Sequence, residues 1–308
     1  MTDFRAAADD YLTTRRAMGY KLTYHGFVLR EFANHLETAG AKHLTISQAL
    51  SWACPSTDTT ALTAAARLSV IRGFARYMSA FDTATEVPPV GLVREPGHRV
   101  VPYIYSERDV AQLLKAAGRL RPEHRADTYQ TVIALLAVTG MRVGEAVRLD
   151  QDDLDFEQGL LTVRNSKYGK SRQLPLHPTT LAALGAYVVR RDARRPYKRS
   201  ASLFTSAIGT RLLRDNVSTV FPRLVRECGF RNMGNHRAPR MHDLRHAFAV
   251  RTVVSWYREG VDVEQHLPLL STYLGHISPG TTYWYLSAVP ELLELIADRL
   301  DATAEAGS

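Results

Sequence analysis

The sequence has very little cysteine and no long hydrophobic run. Its two cysteines, Cys54 and Cys228, cannot make a disulfide framework or a cysteine metal site. We expect both to be buried thiols in a reducing cytoplasm. The longest apolar run, residues 132–138, is far shorter than the roughly 20 residues that a transmembrane helix needs. The acidic, helix-like N-terminus is not typical of a signal peptide. These absences predict a cytoplasmic protein.

Acidic residues are also in the minority. The chain has 31 Asp and Glu against 39 Lys and Arg, which gives a formal net charge of +8 and a pI near 9.6. A basic surplus of this size favours a polyanionic partner. Hydrophobic residues make up 45% and charged residues 23% of the 308 residues, which excludes global disorder and predicts about two domains.

One stretch rich in proline and glycine predicts the boundary between these domains. We place a linker at residues 86–105, between a first domain at 1–85 and a second at 106–308. In the first domain, apolar residues at helical spacing predict four helices. Thr2 is the expected cap of the first helix, and the fourth helix is expected at about residues 60–79.

The second domain is predicted to be helical apart from one β-hairpin. Residues 160–164 and 172–176 alternate in polarity and flank a basic turn at 165–171. A capping box of Ser106 and Asp109 marks the first helix of this domain. The expected fold class is therefore mainly α with a small antiparallel β-sheet or hairpin.

Two short clusters around the hairpin carry residues that suit phosphate chemistry. TGMRVGEA, at 139–146, places Arg142 at a helix start, where backbone N–H groups also attract an anion. The hairpin turn carries Lys167, whose flexible stem can deliver a proton. Taken alone, each feature is more often an ordinary solvated surface residue.

A third cluster, MHDLRH at 241–246, places His242 and Arg245 on one helix face. His242 and His246 have the spacing of zinc ligands. However, the residue after His242 is Asp243, so the glutamate of the HExxH pattern is missing. We therefore expect no metal at this cluster.

A fourth cluster combines LGH at 274–276 with TTYWYL at 281–286. Tyr283 and Tyr285 lie on different sides of a helix, so at most one of them can point into a given site. An aromatic-rich helix, taken alone, is more often part of a core than of a catalytic site.

Together and in this order, the four clusters resemble the tyrosine site-specific recombinases of the phage-integrase family. The resemblance covers about residues 106–290 by motif. It implies an N-terminal helical core-binding domain that clamps DNA at 1–85 and an α+β catalytic domain at 106–308. Glu145 is implied as a supporting residue. The implied catalytic residues are Arg142, Lys167, His242, Arg245, His276 and Tyr285, the tyrosine nine residues after His276.

The chemistry that the resemblance implies needs these residue types. Arg142 and Arg245 would stabilise the charge on the non-bridging phosphate oxygens, because guanidinium groups bind such oxygens bidentately. Tyr285 would attack phosphorus, with His242 as the supporting base. Lys167 would protonate the departing 5′ oxygen. The covalent bond conserves the phosphodiester energy, so we expect no cofactor, neither metal nor ATP.

The resemblance predicts an enzyme, a site-specific DNA recombinase or transposase with a 3′-phosphotyrosine intermediate. The 34-residue interval from His242 to His276 is longer than in the compact cell-division recombinases, and the segment 271–286 looks more like transposon-borne members of the family. The alternatives are a type IB-like topoisomerase and a non-catalytic DNA-binding partner of other recombinases. A two-metal nuclease would need a carboxylate cluster, and we interpret the acidic run at 150–155 as a solvated turn.

The expected partner is a double-stranded DNA recombination site, bound by a homotetramer on paired sites, alone or with other recombinases. An apolar stripe at 290–300 is interpreted as a C-terminal interaction helix. The expected location is cytoplasmic and associated with the nucleoid. Candidate phosphate contacts of the first domain are Arg67, Arg72 and Arg76. Those of the second domain are Arg190, Arg191, Arg194, Arg195, Lys198 and Arg199.

Overall fold

The chain divides into two compact units. A computed structural model describes residues 3–93, 102–166, 169, 171–194, 200–231 and 238–275. The first unit comprises residues 1–99 and the second comprises residues 100–308. Within the described parts of both, no helix is long and apolar enough to cross a membrane.

Four helices form the described part of the first unit. The first begins after Asp3, whose carboxylate accepts a hydrogen bond from the Ala6 amide, so Asp3 rather than Thr2 is the N-cap. The side chain of Thr45 caps the third helix and forms a capping box with Gln48. The helices are α1 (Phe4–Ala17), α2 (Thr23–Thr38), α3 (Ile46–Ala53) and α4 (Ala61–Met78).

Aromatic and aliphatic side chains from all four helices make one core. Phe4, Phe32 and Phe74 are fully buried in it. Phe27 and Leu62, which the helical periodicity assigns to apolar faces, are instead 67% and 63% exposed. Periodicity identifies the face of a helix correctly only where a neighbouring element covers that face.

The first part of the proline-rich stretch is packed against the first unit and is not a free linker. Val87, Leu92 and Val93 pack against the first core. The Arg72 guanidinium donates to the carbonyl oxygens of Pro88 at 2.7 Å and Pro89 at 2.9 Å. Carbonyls in such an irregular segment lack secondary-structure partners, and a long cationic side chain supplies them.

The second unit contains seven further α-helices, one short 3-10 helix (Gln151–Asp153) and a small sheet among its described residues. The helices are α5 (Glu107–Ala117), α6 (Glu123–Thr139), α7 (Val143–Ala146), α8 (Pro178–Arg194), α9 (Arg214–Glu227), α10 (Met241–Arg258) and α11 (Val263–Leu274). The capping box of Ser106 and Asp109 is confirmed at the start of α5. Helix α6 begins at Glu123, directly after Pro122.

The predicted hairpin is confirmed, and the sheet has one more strand. Strands β2 (Leu160–Val163) and β3 (Arg172–Pro175) pair antiparallel, and Val163 lies opposite Arg172. A strand of two residues, β1 (Leu154–Asp155), pairs with the other edge of β2. Two residues show no alternation, so sequence patterning cannot find this strand. The mainly helical fold class with a small antiparallel sheet is confirmed.

The expectation of two buried thiols is wrong for Cys54. Cys54 is exposed at the C-terminal end of α3, and Cys228 is partly buried. Cysteine is often buried, but that preference does not determine a position next to a helix end.

Gly140 provides a test of how tightly α6 is joined to the rest of the second unit. Gly140 ends α6 at φ +60°, and a Cβ at this position would lie 2.5 Å from Phe248 of α10. We expect Gly140→Ala to lower the unfolding free energy by about 2 kcal/mol or more, because left-handed strain and overpacking add. Thermal or urea unfolding measures the loss.

Gly229→Ala is the matched control. Gly229 has φ +71°, and a Cβ there would meet no atom within 4 Å, so only the backbone strain applies. Equal losses in the two variants would contradict the close packing at Gly140.

Candidate active site

The structure describes four of the seven residues that the sequence singles out for catalysis and its support. Arg142 is the residue before α7, and Glu145 lies within that short helix. His242 and Arg245 lie in the first two turns of α10. Lys167, His276 and Tyr285 lie outside the described residues.

Three arginines converge on the C-terminal end of α11. The carbonyl oxygens of residues 273–275 each accept a hydrogen bond from a different arginine. Arg172 Nε donates to the first at 2.7 Å, Arg245 Nη2 to the second at 2.6 Å and Arg142 Nη2 to the third at 3.1 Å. Carbonyls at a helix C-terminus lack partners in the helix and carry partial negative charge. They therefore hold the three cations side by side.

Arg245 joins two helix ends. Its second nitrogen, Nη1, donates at 2.8 Å to the carbonyl of Gly140, the residue that ends α6. The side chain is only 2% exposed. The two predicted arginines, Arg142 and Arg245, are thus brought together through backbone groups of the same α11 terminus.

Glu145 is the anion among these cations. Its side chain is 2% exposed, and it accepts from Arg142 Nη1 at 3.0 Å and from Arg172 Nη2 at 2.8 Å. The Arg142 amide donates to the same carboxylate at 3.0 Å. Burial alone would raise the pKa of Glu145, but the hydrogen bonds and charges of Arg172 and Arg142 lower it to about 2. Glu145 is therefore ionised at any physiological pH.

Gly275 is a glycine because of this convergence. It ends α11 at φ +69°, and a Cβ there would lie 3.0 Å from Arg172 Nη1 and 3.6 Å from Arg142 Nη1. Only glycine combines the left-handed conformation with such a close approach of two guanidinium groups. The LGH phrase thus has a structural reason for its glycine.

His242 lies at the surface of this part of the domain and is held neutral. The pKa of His242 is lowered to about 4, first by partial desolvation and then by His246 and Arg245. Its ring meets the His246 ring edge-on, with centroids 4.8 Å apart. Across the part of the chain that the structure describes, no group of three or more His, Cys, Asp or Glu residues could hold a metal ion.

The acidic run at 150–155 is more than a solvated turn. Asp153 is buried and accepts from Arg164 Nε at 2.5 Å. Asp150 pairs with Arg211 at 2.6 Å. The interpretation as a solvated turn is therefore wrong for Asp153, because a cation from the end of strand β2 lies against its carboxylate.

The candidate DNA contacts of the first unit have different surroundings. Arg76 is exposed on α4. Arg67 lies over the Trp52 ring at 5.1 Å and donates to the Ala53 carbonyl at 3.3 Å. Arg72 holds the proline-rich segment, as described above. Their assignment to DNA remains a prediction.

The arginine cluster of α8 includes one residue that is not a surface contact. Arg191 is 4% exposed and donates to the carbonyls of Ser202 and Leu203. Its interpretation as a phosphate contact is wrong, because its donors hold the backbone that follows α8. Arg190 and Arg194 both pair with Asp127 of α6.

Sequence reasoning does not find Arg172 as a site residue. The alternating pattern indicates it only as the first residue of the second hairpin strand. The available signal is its place directly before the QLPL phrase, in the strand that follows the lysine turn. No local pattern connects Arg172 to Glu145 or to α11.

Comparison with known proteins identifies the family. The sequence model of the phage integrase family matches residues 105–291, which is more than half of the chain. The chain belongs to the phage integrase family. It is a tyrosine recombinase, a site-specific recombination enzyme, and the topoisomerase and accessory-protein alternatives are not favoured.

Two relatives match over nearly the whole chain. The protein y4rB of Sinorhizobium fredii, named as an integrase/recombinase, is 40% identical over 312 residues, 98% of each chain. The tyrosine recombinase XerD of Mycobacterium tuberculosis is 32% identical over 294 residues, 90% of each chain.

Solved structures show the same fold. The Tn1549 transposon integrase, in complex with circular intermediate DNA, has a TM-score of 0.67 at 18% identity and covers 96% of this chain and 99% of its own. A lambda integrase dimer bound to a COC′ core site has a TM-score of 0.64 at 20% identity, with coverage of 90% and 96%.

The ionisation of Glu145 predicts a specific acid sensitivity. The pKa of Glu145 is about 2 in the folded protein and its ordinary value is 4.5. The interactions of the ionised carboxylate with Arg172 and Arg142 therefore stabilise the fold fully above pH 4.5. That contribution, about 3 kcal/mol, is lost as the pH falls from 4.5 towards 2. Urea unfolding at a series of pH values should show that the unfolding free energy of Glu145→Gln falls less between pH 4.5 and pH 2 than that of wild type.

The control for this measurement is Glu157→Gln, because Glu157 is exposed in the turn after β1. The unfolding free energy of this variant should have the same pH dependence as that of wild type. An identical pH dependence in wild type and Glu145→Gln would exclude the buried ion pair.

Proposed function

We propose that this tyrosine recombinase cuts and rejoins double-stranded DNA at the ends of a mobile element, with Tyr285 as the nucleophile. The observation that carries the proposal is the convergence of Arg142 and Arg245 on the α11 terminus, directly before His276. Fixed guanidinium groups are the donors that stabilise a phosphorane-like transition state. The relatives are integrases and recombinases, and one structural neighbour is a transposon integrase.

In the proposed first step, the Tyr285 oxygen attacks phosphorus and the bond from phosphorus to the 5′ oxygen breaks. The phenolic proton passes to His242, whose neutral form predominates at pH 7 because its pKa is lowered to about 4. Lys167 gives a proton to the departing 5′ oxygen, and His276 donates a hydrogen bond to the phosphate. The reverse steps, with a new 5′ hydroxyl, rejoin the strand.

This scheme needs neither a metal ion nor ATP. The phosphotyrosine bond keeps the energy of the phosphodiester, so rejoining requires no external energy source. The two arginines supply the positive charge that a metal ion supplies in a two-metal nuclease. Cleavage is therefore proposed to proceed in excess EDTA.

The proposed assembly is a homotetramer on paired sites. In it, residues 290–300 of each subunit are proposed to contact the next subunit. Such a contact closes into a ring when each subunit binds the next head to tail. Support comes from the neighbour crystallised as a DNA-bound dimer.

Arg76 is a proposed phosphate contact because it is exposed on α4. Arg67 and Arg72 are also proposed contacts, in addition to their internal bonds. DNA binding would place the enzyme on the nucleoid.

Loss of the nucleophile should abolish the covalent intermediate. We expect Tyr285→Phe to form no protein–DNA adduct while binding DNA almost as wild type, because only a hydroxyl is removed. The substrate is a nicked suicide fragment built from terminal inverted repeats once these are mapped around the gene, and the adduct is read on a denaturing gel. Tyr283→Phe is the matched control, and loss of the adduct in that variant instead would move the nucleophile to Tyr283.

Loss of the general acid should be bypassed by a better leaving group. We expect Lys167→Ala to slow cleavage of ordinary DNA but to cleave a substrate with a 5′-bridging sulfur at nearly the wild-type rate, because a thiolate leaves without protonation. Lys170→Ala, on the same turn, should resemble wild type on both substrates. A Lys167→Ala enzyme that the sulfur does not rescue would remove Lys167 from the acid role.

A further inference from the structure

We propose that Arg172 is a positioning residue for DNA cleavage: from strand β3 it aligns Glu145 with Arg142 and fixes the end of α11. The inference rests on the proposed function and adds a residue to that mechanism. Arg172 does not need to touch DNA in this role, since it acts through Glu145 and through the α11 backbone.

The contacts of Arg172 use all three of its nitrogens. Nη1 and Nη2 donate to the two carboxylate oxygens of Glu145, at 3.2 and 2.8 Å. Nε donates to the Tyr273 carbonyl at 2.7 Å. The side chain is only 11% exposed. One planar group therefore fixes both a carboxylate and a helix end.

Only arginine can make this set of bonds at once. A guanidinium carries five N–H donors in a rigid fork, whereas a lysine ammonium is a single point on a flexible stem. The bidentate half of the fork determines the plane of the Glu145 carboxylate. That plane in turn determines where Arg142, which shares the carboxylate, can point its remaining donors.

The charge of Arg172 is as important as its shape. Burial of Glu145 favours the neutral acid, and the described charged groups that face it are Arg172 from β3 and Arg142 from its own turn. Of these two, Arg172 lowers the pKa of Glu145 more strongly. Without Arg172, the pKa of Glu145 rises from about 2, and a protonated Glu145 holds Arg142 less firmly.

Arg172 also ties the hairpin to the α11 terminus. It lies opposite Val163 at the end of the β2–β3 ladder, and it follows Lys167 by five positions in the sequence. Its bond to Tyr273 fixes the helix end that leads to His276. A displacement of about 1 Å between such elements can cost a catalytic step on the order of 100-fold.

The test compares single-turnover cleavage rates of the full chain on the suicide substrate from pH 5 to pH 8. Each variant's rate is divided by the wild-type rate at the same pH, so that titration of shared groups cancels. We expect Arg172→Gln to cleave about 10- to 100-fold more slowly at pH 8, and the ratio to fall further towards pH 5 as Glu145 takes up a proton.

Two further variants separate charge from shape. Arg172→Lys keeps a cation, so its ratio should be reduced at pH 8 but nearly constant with pH. In a Glu145→Gln background, Arg172→Gln should add no pH dependence and a smaller loss than in the wild-type background, because only its bond to the Tyr273 carbonyl remains to be lost. Additive losses in that double variant would overturn the proposal.

Arg211→Gln is the matched control. Arg211 also pairs with a carboxylate, Asp150, and donates to the backbone carbonyls of Val147 and Leu149 in the same unit. Arg172 variants that behave like Arg211→Gln, with a pH-independent ratio near one, would overturn the role of Arg172. If Arg172→Gln does not fold, the comparison of Arg172→Lys alone and with Glu145→Gln decides by the same additivity criterion.

The result also separates this inference from the proposed function. A wild-type chain that forms no adduct on the inverted-repeat substrate would overturn the proposed function. An active wild type whose Arg172→Gln variant has a pH-independent rate ratio would overturn only the positioning role.

Discussion

A buried carboxylate, that of Glu145, is the group on which the site geometry depends. An ionised carboxylate inside a protein costs several kcal/mol unless cations and hydrogen bonds compensate it. Arg142 and Arg172 provide that compensation, and the requirement is mutual. Two guanidinium groups repel each other unless an anion lies between them, so Glu145 lets them gather in one place. Removing the carboxylate leaves two cations facing each other, and removing either arginine leaves the buried carboxylate with less compensation.

The end of helix α11 imposes the second constraint. Its terminal carbonyls have no partners in the helix, and three arginines satisfy three of them in succession. The arginines are thereby held in fixed rotamers before any phosphate arrives. A guanidinium has five donors, so one bond to a carbonyl does not exhaust it. Preorganised donors of this kind do not have to reorient during the reaction, which is the basis of electrostatic catalysis.

Local features of the fold could be predicted from the sequence, and long-range ones could not. The capping box at Ser106 and the β2–β3 hairpin depend on neighbouring residues, and both are confirmed. The motif phrases indicate Arg142 and Arg245 because their residue types and spacing are distinctive. The contacts of Arg172 reach residues 27 and 101 positions away, so no window of sequence contains them. The predictions for Arg191 and Cys54 failed for the same reason, since burial depends on which distant elements cover a residue.

The positive field that suits phosphate also acts on the one titratable base of the proposed mechanism. Desolvation is the largest cause that lowers the pKa of His242 to about 4, and His246 and Arg245 lower it further, so the free enzyme keeps that ring neutral. On the proposed mechanism, a bound phosphate brings negative charge close to the arginines and offsets part of their field. Negative charge near a histidine raises its pKa. On that mechanism, His242 would become a stronger base when DNA is in place, which would couple proton acceptance from Tyr285 to substrate binding.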